Sequence, residues 1–295
     1  MQWEVMGMDE TKKNAGTLYL CATPIGNLED ITLRVLRTLK EVDVIAAEDT
    51  RNTIRLLNHY DIHTPLTSYH EYNRYDKAKV LVEEMKAGKN VAVVTDAGTP
   101  GISDPGEELV RQALSAGLTV TSLPGACACV TALTISGLPT RRFAFEAFLP
   151  AEKKERQQIL AELERETRTM LIYEAPHHLA ATLKELAEHV GEDRPCSLIR
   201  ELTKLHEEVF ASTLGEVIRR CEEVPPRGEY VIVLQGRALE EAVRAERKKW
   251  EDIPMEEHMK IYTEQGMDRK EAMKAVAKDR GVSRRDVYAA LLQED

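Results

Sequence analysis

Apolar positions in the first half of the chain follow two alternating rhythms. Short, mostly β-branched runs at Leu18–Ala22, Val42–Ala47, Val91–Val94 and Val120–Leu123 are bounded by turn residues, the pattern of buried strands. Between them apolar residues recur at helical spacing: Ile31, Val35, Leu39 and Val42 in one stretch, then Val80, Val82 and Met85 in another that stops at Gly88. Asp104-Pro105-Gly106-Glu107-Glu108 reads as a helix start. Asp104 would accept free N–H groups, Pro105 would take the first helical position, the glutamates would complement the dipole, and Gly117 would end the helix. Strands and helices alternating at this length predict an α/β fold with a mostly parallel, helix-covered sheet.

A second set of elements begins near Arg142. Phe143–Phe148 is strand-like, Glu152–Glu166 is a charged helix, and strands follow at Met170–Tyr173, Cys196–Ile199, Glu208–Ala211 and Tyr230–Leu234. Thr213 and Glu216 have capping-box spacing, and Pro225-Pro226 interrupts. After Gly236 the chain is charge-dense: a helical stretch over Ala238–Gly266, then short helices at Asp268–Ala277 and Ser283–Leu292, joined at Gly281 and capped by Asp268 and Ser283. The expected division is a disordered N-terminus over 1–16, α/β domains over 17–140 and 141–237, and a helical module over 238–295.

Composition narrows the partners. With 43% hydrophobic and 31% charged residues the chain reads as a soluble globular protein, and the formal charge of -10 argues against a general grip on bare nucleic acid. An RNA substrate would be met by local patches (Arg141-Arg142, Lys153-Lys154 with Arg156, Lys248-Lys249, Arg284-Arg285) or presented by a larger particle. Cys21, Cys127, Cys129, Cys196 and Cys221 form no CxxC pair. Cys127 and Cys129 read as small apolar helix positions facing different ways, so a reducing, cytoplasmic setting is expected. No metal-ligand cluster, signal peptide or membrane-spanning run is visible.

In an open α/β sheet, ligands bind beyond the carboxyl ends of the strands. Four such ends are rich in Gly, Pro, Asp and Thr: Ala22-Thr23-Pro24-Ile25-Gly26-Asn27, Glu48-Asp49-Thr50-Arg51, Thr95 through Asp104, and Pro124-Gly125-Ala126-Cys127-Ala128. Glycine lets backbone approach a ligand, and proline limits the entropy lost on binding. No phosphate loop and no GxGxxG fingerprint is present, which lowers the odds of ATP or NAD chemistry.

LCATPIGNLEDITLRVL, AAEDTR, SYHEYNR, TDAGTPGISDPG, LPGACA, GLPTRRFAFEAFLP, YEAPHH, RELTKLHEE and GEYVIV occur in this order. Together, over roughly Thr17 to Gly236, they closely resemble the RsmI family, cytidine 2′-O-methyltransferases of small-subunit (16S) ribosomal RNA within the tetrapyrrole methylase superfamily; the helical tail resembles that family's C-terminal module. The resemblance implies two α/β domains, usually in a homodimer, with S-adenosylmethionine in the cleft between them and a decoding-centre cytidine as target. Carried over by position, cofactor contacts fall on Pro24, Gly26, Gly98, Thr99, Gly101, Ile102, Ser103, Gly125, Cys127, Ala128, Tyr173, Glu174 and Ala175. RNA contacts fall on Arg51, His70, Arg74, His177 and Arg200. Glu201 or Asp49 could serve as base and Lys204 could offset charge, although each is also a residue type found in ordinary surface ion pairs. The chain departs from the family pattern at Ala126-Cys127, where proline and serine are common, and at His178, where a basic residue is common. Two other functions remain open to the sequence: a small-molecule methylase acting on a tetrapyrrole, and a non-catalytic cofactor-binding assembly protein.

Overall fold

The computed structural model describes residues 15–292. The first sheet contains β1 (Thr17–Cys21), β2 (Val44–Ala47), β3 (Leu66–Ser68), β4 (Val91–Val94) and β5 (Thr119–Leu123), all parallel, in the order β3-β2-β4-β1-β5. Strand periodicity splits their side chains between two cores. Leu18, Leu20, Val91 and Val93 pack with Leu81, Met85 and Leu109, whereas Cys21, Ala92 and Val94 pack with Val35, Leu39 and Leu57. The helices supplying those partners are α1 (Leu33–Glu41), α2 (Thr50–His59), α3 (Arg74–Lys86) and α4 (Gly106–Ser115).

Several expectations shift. Val42 caps α1 instead of opening β2, because its N–H continues the helix by donating to Thr38 O. Helix α4 begins at Gly106 with Pro105 at the cap, and Asp104 ties a loop together, as described below. Within the segment expected to be disordered, residues 1–14 lie outside the described residues, but Gly16 is held: its N–H donates to Met85 O over 2.8 Å. A Cβ there would sit 1.8 Å from Lys89 O.

The largest departure follows β5. Helix α5 (Ala128–Ile135) does not return to cover the first sheet; its Cys129, Ala132 and Leu133 pack on Leu171, Ile199, Val231 and Val233 of the second. Strand β5 is therefore an edge strand with Thr119, Thr121 and Ser122 exposed, where a buried strand was expected.

The second sheet has the order β6-β7-β10-β8-β9, formed by β6 (Phe143–Phe148), β7 (Thr169–Glu174), β8 (Pro195–Arg200), β9 (Glu208–Thr213) and β10 (Tyr230–Leu234). Only β6 and β7 are parallel; β10 runs antiparallel to both β7 and β8. On its outer face Met170, Ile172, Ile232 and Leu198 pack under α6 (Lys153–Leu163), α7 (Pro176–Val190) and α8 (Leu214–Glu223). Thr213 does cap α8, accepting from Glu216 N–H, but the reciprocal half of the expected capping box is not made and Glu216 pairs with Arg219 instead.

Beyond this sheet lie α9 (Leu239–Lys248), α10 (Met255–Glu264), α11 (Arg269–Arg280) and α12 (Arg284–Leu291). The stretch read as one helical run is broken before Pro254, which lacks an N–H and disfavours helix at its predecessor. Asp268 and Ser283 cap α11 and α12, and Gly281 adopts φ 65° between them.

His258, fully buried, stacks on Trp250 at 3.8 Å, accepts from Arg280 Nε at Nδ1, and lies 3.3 Å from Asp279 at Nε2. Tyr262 donates to the same Asp279 carboxylate. Burial pushes the His258 pKa below its ordinary value; Asp279 opposes this and Arg280 adds to it. The fold thus favours neutral imidazole. Its contribution is complete above the unfolded value near about pH 6.5 and is lost as pH falls through the lower folded value. Protection factors for hydrogen exchange across α10–α12, taken relative to the intrinsic rate at each pH, are expected to fall between pH 7 and 5, and the His258→Gln variant to flatten that dependence.

Candidate active site

A cleft of about 540 Å³ opens between the two sheets, within the size range of small-molecule sites. Its first-sheet wall is the loop after β4. Ala97, Gly98, Thr99, Ile102 and Ser103 line it, with Glu48, Thr95 and Asp96 at one end. Cys127 and Ala128 come from the turn into α5. The second sheet supplies Phe148, Tyr173, Glu174 and Ala175, then Ile199, Leu202 and Glu229–Val231.

The loops are stitched into one rigid rim. Thr23 and Gly98 exchange both backbone hydrogen bonds at 2.9 and 3.0 Å, Thr23 Oγ1 donates to Thr95 O, and Thr99 Oγ1 donates to Ala126 O at 2.9 Å. Asp104 holds the tightest part. Its Oδ2 accepts from Gly101 and Ile102 N–H at 2.8 and 3.1 Å, and its Oδ1 from Gly106 N–H at 2.7 Å. Those bonds sustain Ser103 at φ 64°, an unfavourable conformation for a side chain of this type.

At the acidic end, Glu48 Oε2 accepts from Thr95 Oγ1 at 2.6 Å, while Asp96 accepts from Asp49 N–H and Asn52 Nδ2, both at 3.2 Å. Burial raises the Asp96 pKa, with the Glu48 charge adding and the Asn52 bond opposing. On the opposite wall Tyr173 OH accepts from Cys129 N–H at 2.9 Å, and its ring meets Phe145 and Phe148 edge-on. Glu174 is buried, bonded to Ala175 N–H and to Thr182 Oγ1. Cys127 and Cys129 do not face different ways: their sulfurs are 3.5 Å apart. The extended backbone of the capping residue Cys127 (φ −147°, ψ 108°) breaks the helical geometry that would have separated them.

Four of the residues expected to contact cofactor lie off this cleft. Gly125 is packed on Ala22, where a Cβ would come to 2.6 Å, and Gly101 sits under the Asp104 clamp. Pro24 and Gly26 border a neighbouring depression with Asn52, Arg55 and His59. Gly26 also meets the loop between β8 and β9, since a Cβ there would lie 2.4 Å from Lys204 Cγ.

The three candidates for proton handling do not line the cleft and are engaged elsewhere. Asp49 caps α2, and the Arg51 guanidinium and N–H hold its carboxyl near about 2. Glu201 accepts from Glu229 N–H and from Lys204, which keep its pKa low. Burial pulls the Lys204 pKa down, but Glu229 and Glu201 outweigh it and raise the net value.

Among the residues expected to meet RNA, Arg51 is exposed and paired with Asp49, and His177 is exposed on the first turn of α7. Arg200 donates to Arg227 O, Arg74 is shared by Glu71 and Tyr75, and His70 Nδ1 is buried without a partner. Arg156 is turned inward onto Glu185 and Thr182, so it leaves the expected basic patch. Among the described residues no group of His, Cys, Asp or Glu is placed to hold a metal, and no helix is long and apolar enough to cross a membrane.

Comparison with known proteins accords with this architecture. The family model for tetrapyrrole (corrin/porphyrin) methylases matches residues 17–218. Ribosomal RNA small subunit methyltransferase I of Halalkalibacterium halodurans is 47% identical over 285 residues, covering 97% of this chain and 98% of that protein. The protein of the same name from Escherichia coli O157:H7 is 40% identical over 282 residues, covering 95% and 96%. In fold the chain resembles diphthine synthase (TM-score 0.59, 14% identity, 79% of this chain and 95% of that one). It also resembles uroporphyrin-III C-methyltransferase from Thermus thermophilus complexed with S-adenyl homocysteine (TM-score 0.53, 22% identity, 78% and 100%). On this sequence likeness the chain belongs to the tetrapyrrole methylase family, in the branch whose members are named ribosomal RNA small subunit methyltransferase I.

Proposed function

We propose that this chain transfers the methyl group of S-adenosylmethionine to the ribose 2′-hydroxyl of a cytidine in 16S ribosomal RNA, at the decoding centre of the small subunit. The observation carrying this reading is 47% identity, over nearly the whole length of both proteins, to a small-subunit rRNA methyltransferase.

The cleft suits the cofactor. Its volume and apolar wall of Phe148, Tyr173, Ile199 and Val231 would exclude water, and the loop Ala97–Ser103 offers close-approaching backbone. Glu48 and Asp96 supply acceptors for hydroxyl or amino groups and favour a cationic ligand. When bound, S-adenosylmethionine supplies an electrophilic methyl carbon on a sulfonium. The residues around it mainly align donor and acceptor, the chief requirement of an in-line transfer. Asp96→Asn is expected to weaken cofactor affinity about tenfold or more, because a charged acceptor is lost while its shape is kept; calorimetry measures it.

Two features support a particle as substrate and a dimer as the working form. The charge of -10 disfavours naked RNA, so activity on small subunits lacking the methyl group should exceed activity on free 16S RNA. The uncovered edge strand β5, with Arg34 and Arg37 beside it, offers a surface for a second copy. Nucleoside mass spectrometry of rRNA from cells lacking the protein tests the reaction: one 2′-O-methylated cytidine should vanish and return on complementation. An unchanged rRNA alongside a missing methyl on a corrin precursor would replace this reading with a tetrapyrrole one.

A further inference from the structure

Two sulfurs meet on the cleft wall. Cys127 lines the cleft and caps α5, while Cys129 is buried behind it with its Sγ 3.5 Å away. We propose that Cys127 and Cys129 form a peroxide-reactive dithiol whose oxidation to a disulfide distorts the wall of the cofactor cleft and so gates cofactor binding. This rests on the cleft being the cofactor site.

The pair is asymmetric in the way such chemistry needs. Cys127 is held below the ordinary thiol value, chiefly by the hydrogen bond from the Cys129 thiol, with Val130 N–H helping against burial. Cys129 is pushed the other way by the same bond and by burial, so it holds the proton. The remaining thiols lack a comparable setting: burial raises Cys21 and Cys196 to about 12 and raises Cys221 as well.

Near neutral pH the Cys127 thiolate attacks an oxygen of hydrogen peroxide. An S–O bond forms, the O–O bond breaks, and hydroxide leaves to take a proton as water. Cys129 then releases its proton and its sulfur displaces hydroxide from Cys127, forming S–S and a second water. Two thiols are oxidised, one peroxide is reduced, and the atoms balance. Closing from 3.5 Å to a disulfide length requires an approach of about 1.5 Å. That movement pulls on Ala128, which lies between them in the cleft wall, and on Tyr173, whose hydroxyl accepts from Cys129 N–H.

The test treats the intact protein with hydrogen peroxide, blocks remaining thiols with iodoacetamide and digests with trypsin. Peptide 112–141 contains these two cysteines and no others. It should lose two hydrogens and take no blocking group, S-adenosylmethionine affinity should fall about tenfold or more by calorimetry, and dithiothreitol should restore both. In Cys129→Ser the peptide should instead carry a dimedone-trapped sulfenic acid on Cys127. A treated peptide that still accepts two blocking groups overturns the dithiol, and a disulfide that leaves cofactor uptake unchanged overturns the gate. Reduced protein that takes up no S-adenosylmethionine overturns the cofactor reading, and the gate with it, whatever the peptide shows.

Discussion

Replacing Asp104 with alanine is expected to weaken S-adenosylmethionine uptake about 100-fold or more, equivalent to about 2.7 kcal/mol. The carboxylate satisfies three backbone N–H groups at once, those of Gly101, Ile102 and Gly106. Without it, three donors lose their acceptor and nothing opposes relaxation of Ser103 from φ 64°. The loop would then lose the geometry that lines the cleft, and binding would have to restore it at the ligand's expense. Asparagine keeps one oxygen and can serve only one side of the clamp, so Asp104→Asn should fall between, about tenfold weaker by calorimetry. Equal affinity in all three proteins would mean that the loop needs no preorganisation.

The second large effect is expected at Gly26. A Cβ there would lie 2.4 Å from Lys204 Cγ and 2.9 Å from Thr203 Oγ1. Neither neighbour yields easily: Lys204 is tethered by Glu201 at 3.0 Å and Glu229 at 2.8 Å, and Thr203 already sits at φ 65°. Ile25 and Leu202, adjacent in sequence to these groups, both line the cleft, so relieving the clash moves its walls. A displacement near about 1 Å costs on the order of 100-fold in rate when alignment governs the reaction. Gly26→Ala should therefore lose about 100-fold in methyl transfer, a loss larger than its stability cost of about 1–3 kcal/mol would produce in a protein that stays folded. Adding Lys204→Ala, which removes Cγ, should recover part of the loss beyond additivity of the single variants.

Much of this architecture is legible in the sequence because its strands are short apolar runs and its helices have caps and regular stripes. Val91–Val94 and Tyr230–Leu234 are buried on both faces and stand out for that reason. What escaped depends on partners distant in the chain. Strand β5 carries Thr119, Thr121 and Ser122 where β1 is mostly apolar, so its exposed side is written in the chain, but nothing local reveals that α5 crosses to the other sheet and leaves that side uncovered. Tyr230 and Val231 reach the cleft from the beginning of an antiparallel strand, where a rule about carboxyl ends does not look. Asp104 resembles a helix cap and does accept from Gly106 N–H at the start of α4, but it also accepts from Gly101 N–H in the loop before it. Likewise Asp49, Glu201 and Lys204 carry reactive side chains, but only the folded chain shows their ion-pair partners.

The most direct measurement is methyl transfer by the purified protein from labelled S-adenosylmethionine to small ribosomal subunits that lack the modification. Label is expected on the 2′-oxygen of a single cytidine in 16S RNA, and is expected to be lost in Asp104→Ala. Label on a base or on protein, or full transfer by the Asp104→Ala variant, would contradict this reading.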